Sequence, residues 1–179
     1  TSLVDGPFSQ SNFAAAFRAV QGSRNSDLVK MVDFDEYYPS YQSPASFLSV
    51  PIVDGDEQVG VLIFQIPIDQ INTTMTNSGS WNSVGLGKSG ETYMVSNDYS
   101  MRNDSRLLIE DPDSFFGNLQ QQNISTEKIA RIRSLQSSIL IQNAKSEATT
   151  RAIQGEKGID LVTNYLGNTV LSAYSPLNI

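Results

Sequence analysis

Residues 33–66, DFDEYYPSYQSPASFLSVPIVDGDEQVGVLIFQI, constrain the fold of this chain more than any other stretch. They hold two runs, 45–53 and 58–66, rich in Val, Ile, Leu and Phe, the composition of half-buried β-strands. Asp54-Gly55-Asp56 lies between them and offers a glycine for a positive φ, so the spacing predicts a tight hairpin. The hairpin is preceded by Tyr37, Tyr38, Pro39, Ser40, Tyr41, Gln42, Ser43 and Pro44. The two prolines stiffen this segment and block a helix. Three tyrosines so close together each need a partner for the hydroxyl, which suits a pocket wall as well as a solvent-facing loop packed on the sheet.

The rest of the chain reads as alternating helices and short strands. Ser11 caps a helix over 12–21 that stops at Gly22, and 28–34 reads as a strand. A helix starts at Pro67 with Ile68, Ile71 and Met75 on one face. Residues 77–90, rich in Ser, Asn and Gly, read as a linker. Residues 92–96 and 99–102 are expected to pair about Asn97-Asp98, and 111–123 read as irregular. Ser125 or Thr126 opens a helix with Ile129, Ile132, Leu135 and Ile139 as its stripe; 139–142 also suit an extended segment. Ser146 caps a helix ending at Gly155, followed by strands 159–165 and 169–174. Phe17-Arg18-Ala19-Val20-Gln21-Gly22 matches Thr150-Arg151-Ala152-Ile153-Gln154-Gly155, and each copy leads into two strands closed by a proline, Pro51 or Pro176. This order points to an internal duplication.

Composition removes several functions. The 179 residues contain no histidine and no cysteine, which excludes a Ser-His-Asp arrangement, a thiolate nucleophile and the usual zinc sites. A net charge of −7 disfavours nucleic acid and anionic lipid. No apolar run approaches the roughly 20 residues of a membrane span. Asp33, Asp35 and Glu36 cluster without EF-hand spacing, so no metal and no other cofactor is expected. Gly85, Gly87 and Gly90 lack the Lys-Ser/Thr ending of a phosphate loop. Arg102, Asp104 and Arg106 have the forks to hold a carboxylate, but the acid beside them favours an internal Arg–Asp network. Asn72, Asn103 and Asn123 open formal glycosylation sequons, read as coincidence in a bacterial protein.

The ordered set DFDEYYPSYQSPASFLSVPI at 33–52, VGVLIFQIPIDQIN at 59–72, GKSGETYMVSNDYSMRNDSR at 87–106 and TRAIQGEKGIDLVTNYLGNTVLSAYSPL at 150–177 resembles the double-Cache sensor domains of bacterial chemoreceptors and sensor histidine kinases. The resemblance implies an α+β fold of two PAS-like lobes, each an antiparallel sheet flanked by helices. The lobes would be a membrane-distal one over 1–76 and a membrane-proximal one over 77–179. It further implies that a long helix and the first distal strands precede Thr1 and that a last strand follows Ile179. The function implied is non-catalytic sensing of a small solute (an amino acid, organic acid or amine) by the periplasmic or extracellular part of an inner-membrane receptor. Such a module is joined to the membrane by segments outside these residues, and a homodimer is one assembly open to it. The family senses in its distal lobe, where Asp33 and Asp35 suit a cationic group, Tyr37, Tyr38 and Tyr41 suit a lid, and Ala45, Ser46 and Phe47 suit the pocket floor. The competing readings are a carboxylate-dependent hydrolase and a structural module without a ligand.

Overall fold

A computed structural model describes residues 2–41, 43–66 and 68–177. The fold is α+β, with antiparallel pairing throughout its two sheets. The chain forms two compact units, Thr1–Gln70 and Ile71–Ile179.

In the first unit, helix α1 (Asn12–Val20) starts at Ser11, whose Oγ accepts from the Ala14 amide. Its chain turns away through extended Gln21 and Gly22 at φ +77°. Three strands follow, β1 (Lys30–Glu36), β2 (Pro44–Asp54) and β3 (Glu57–Ile66), in the order β1-β2-β3. The predicted hairpin is present: Asp54 pairs with Glu57 and Gly55 takes φ +57°. β1 begins and ends two residues later than the sequence suggested and carries a bulge between Val32 and Asp35. Ala16 and Phe13 of α1 pack on Ala45, Phe47, Val32, Tyr37 and Ile63 to make the core of this unit. Pro51 does not close its strand; it pairs with Val61 in mid-strand, two residues beyond Ser49, where the pairing of β2 with β1 ends.

The second unit contains most of helix α2 (Ile68–Thr76). Pro67, expected to open α2, lies outside the described residues. Residues 77–90 are no spacer: they wind through two short 3-10 turns and bury Trp81. The polar composition that suggested a linker serves these turns, where Asn77, Ser78, Gly79 and Gly85 all adopt positive φ. The expected strands at 92–96 and 99–102 reduce to a single bridge, Val95 with Met101, because Tyr99 turns left-handed and Ser100 bridges to Asn143 instead. Helices α3 (Arg106–Glu110), α4 (Pro112–Gln121) and α5 (Thr126–Leu135) enclose Leu108, Phe115, Phe116, Leu119, Ile129 and Ile132. α4 occupies the stretch expected to be irregular; Asp111 caps it by accepting from the Ser114 amide and Pro112 occupies its first turn. Ile139 is buried beyond the end of α5, in a turn where Leu140 takes φ +63°, so 139–142 are not extended.

Helix α6 (Glu147–Ile153) begins with a reciprocal capping box between Ser146 and Thr149 and ends at Gly155, φ +91°. β4 (Gly158–Thr163) and β5 (Thr169–Tyr174) form an antiparallel pair packed against α6. The matched hexapeptides thus both finish a helix on a left-handed glycine and lead into antiparallel strands. Their arginines differ in setting: Arg18 donates to the Ser9 carbonyl, whereas Arg151 pairs with Asp160 and Glu147.

Candidate functional site

The eight residues singled out in the first unit fall into three settings. Ala45 and Phe47 are in the core, and the space that a small residue leaves beside the sheet is filled by Ala16 and Phe13 of α1. Tyr37 belongs to the same core, with its ring 5.1 Å from that of Phe47 and 6.1 Å from that of Phe13. Ser46 is fully buried, donating its hydroxyl to the Val32 carbonyl at 2.7 Å. Tyr38 and Tyr41 are 74% and 94% exposed, so they do not close over Ala45 as a lid. They flank a short 3-10 turn that Tyr41 ends at φ 54°. Asp33 and Asp35 are exposed, and each accepts from the amide of the next residue, Phe34 at 2.7 Å and Glu36 at 2.8 Å. No group of three or more acidic side chains suited to a metal comes together among the described residues.

One residue joins these settings and has no marker in the sequence. Asn12, at the first position of α1, is buried and donates from Nδ2 to the Ala45 carbonyl at 2.6 Å and to the Asp33 carbonyl at 3.3 Å. It therefore spans the bulge in β1. Two carbonyl acceptors on one nitrogen fix the orientation of the amide. Its Oδ1 is left buried without a partner among the described residues, an arrangement rare enough in folded proteins to require an explanation.

In the second unit every residue from Met101 to Arg106 is buried, and five of the six are polar. Each has internal work. Arg102 donates to the Ser100 carbonyl at 2.9 Å and lies 3.6 Å from Asp98. Arg106 makes a two-pronged contact with Glu110, at 2.8 and 3.1 Å, and donates to the carbonyls of Gly87 and Gly90. Its guanidinium lies 4.7 Å from the centre of the Trp81 ring. Among the described residues Asp104 pairs with no arginine. Its carboxylate accepts from Asn72 Nδ2, the Ser137 hydroxyl and the Ser138 amide, while its own amide donates to Asn72 Oδ1. Asn103 is fully buried, donating to Asp104 and accepting from the Met94 amide, so its sequon is inaccessible in the fold.

Glu91 is the carboxylate of the second unit whose pKa is raised. Its carboxylate accepts from the Arg106 amide at 2.7 Å and from the Tyr165 hydroxyl at 2.8 Å. Burial raises its pKa above the ordinary carboxylate range, outweighing the opposing hydrogen bonds and the Arg106 charge. Burial and then the Glu91 charge push the Tyr165 phenol well up, and Tyr93 rises for the same two reasons. A phenol held neutral in this way is a donor and not a nucleophile. The sequence contains this site in SGETY at 89–93, but Tyr165 comes from the β4–β5 turn, far along the chain.

Comparison with known proteins identifies no relative: no family model matches the chain, and no curated protein or solved structure matches it.

Proposed function

We propose that this chain is a ligand-sensing module, built as two PAS-like lobes of the double-Cache kind and carried by a bacterial transmembrane receptor on the outer side of its membrane. The ligand is a small solute bearing an amine, taken up by the first unit. The observation that carries this reading is the unpartnered Oδ1 of Asn12, buried at the bulge between Asp33 and Ala45. An ammonium or amide donor satisfies that acceptor, and Asp33 and Asp35 beside the bulge supply the opposite charge. Uptake requires the bulge to open, which is the movement a sensor passes on. No described helix is long and apolar enough to cross a membrane.

A thermal-shift screen of amino acids, organic acids and amines tests the proposal, since a ligand that binds the folded state stabilises it by mass action. Amines and amino acids should raise the midpoint, and organic acids without an amine should not. Asp35→Asn should weaken binding about tenfold while leaving the unliganded midpoint unchanged. A screen in which no compound raises the midpoint defeats the reading.

A further inference from the structure

The turn between β4 and β5 is braced within itself. The Asn164 amide donates to the Asn168 carbonyl, the Gly167 amide donates to the Asn164 carbonyl, and Asn164 Oδ1 accepts from the amides of Leu166 and Asn168. Tyr165 carries the attachment of this braced turn to the rest of the second unit. Its buried side chain reaches Glu91 at 2.8 Å and Ser105 at 2.7 Å, and its ring stands edge-on to Tyr93 with centroids 5.5 Å apart. Gln122 Nε2 donates to its carbonyl at 3.0 Å.

The carboxylate under this turn has no cation of its own. Arg106 is the charge that acts on Glu91, but its guanidinium is engaged by Glu110 and by the carbonyls of Gly87 and Gly90. The other titratable groups facing Glu91 are the phenols of Tyr93, from its own segment, and Tyr165. From the α6 side Tyr93 meets only the Ser146 hydroxyl, while Glu147 and Arg151 pair with each other. With a proton on Glu91, the acid donates to the phenol and the phenol donates to Ser105 Oγ, so no charge is left inside. When the proton leaves to water, the remaining charge is met by neutral donors alone. Burial outweighs those donors, so the fold favours the neutral acid.

We propose that Glu91 and Tyr165 form a proton-operated latch: neutral Glu91 holds the β4–β5 turn down, and loss of its proton frees the turn. Lifting the turn lets water reach the carboxylate, so opening becomes easier as pH rises. The hairpin then frays from its turn end, because two strands alone are marginal in water. α6 keeps hold of the hairpin through Arg151 and Asp160. The latch gives the second unit a response to pH that does not involve the solute proposed for the first.

Hydrogen exchange on the unaltered chain separates this local opening from unfolding of the unit. After correction for the intrinsic effect of pH, amides 163–169 should lose protection from about pH 5 to about pH 8, about tenfold for each pKa unit by which Glu91 is raised. At the higher pH they should exchange faster than α4 and with little dependence on urea, since a small opening exposes little surface. Carbon NMR of the Glu91 carboxyl should give a midpoint above the ordinary ~4.3, shared by the ring signals of Tyr165. Glu91→Gln should keep the turn closed at every pH, and Tyr165→Phe should leave it open at every pH. Turn amides that exchange only together with α4, at the same urea dependence, overturn the latch. A Glu91 midpoint at or below ~4.3 overturns it without any variant having to fold, and so does a Glu91→Gln chain that keeps the pH dependence of the parent.

Discussion

The hydroxyl of Tyr165 donates to Glu91 across 74 positions of sequence and ties the turn between β4 and β5 to the segment ahead of α3. The same hydroxyl lies 2.7 Å from Ser105 Oγ. The Glu91 carboxylate therefore joins three stretches of chain through one partly buried charge.

That charge makes the second unit's stability depend on pH. The folded-state pKa of Glu91 is raised, so its contribution to folding is fully present below the unfolded value of ~4.3 and is lost as pH rises through the folded value. Glu91→Gln keeps the shape and removes the titration. The unfolding free energy of the variant minus that of the parent should therefore grow as pH is raised from about 4 to about 8. A difference that stays flat with pH in urea titrations would show that Glu91 is not perturbed.

Tyr165→Phe leaves Glu91 with one donor fewer and Ser105 without its phenol partner. A buried polar group stripped of its partner costs about 1–3 kcal/mol, and the loss should appear as a lower urea midpoint with an unchanged slope. Without the phenol donor the Glu91 pKa should climb further, so the variant should show a steeper pH dependence than the parent.

Asp104→Ala should cost more, about 2–4 kcal/mol, because it strands the Ser138 amide and Asn72 Nδ2 together. Asp104→Asn should recover part of this by keeping one carbonyl acceptor. Chemical denaturation of the two variants checks the order. Equal stability of Asp104→Ala and the parent would show that the network is not structural.

What the sequence disclosed follows the range of the interactions involved. The hairpin of β2 and β3 was legible because its alternation and its Asp-Gly turn are local. The helix ends at Gly22 and Gly155 were legible because a left-handed residue after a helix favours glycine. α4 was hidden because a proline and a glycine both lower helix propensity, yet Pro112 sits in the first turn, which proline suits, and the buried rings of Phe115 and Phe116 hold the helix across Gly117. The pocket expected above Ala45 was hidden for another reason. Strand alternation shows which side chains share a face, but not that α1 lies across that face. Asn12 was missed on the same grounds, since its two carbonyl partners come from β1 and β2.

The matched hexapeptides give the last test. Gly22 and Gly155 adopt φ +77° and +91°, and a Cβ at either would meet nothing within 4 Å. Alanine at these positions therefore costs backbone strain alone, about 1–2 kcal/mol for a left-handed residue with a side chain. If the two helix ends are equivalent copies, Gly22→Ala and Gly155→Ala should each lower stability by a similar amount. The two sites lie in separate compact units, so calorimetry should show each variant shifting the transition of its own unit only. Asn in place of either glycine should recover much of the loss, because Asn enters the left-handed region more readily than Ala. If one alanine is neutral and the other costly, the shared sequence does not mean a shared structural role, and the case for an internal duplication falls.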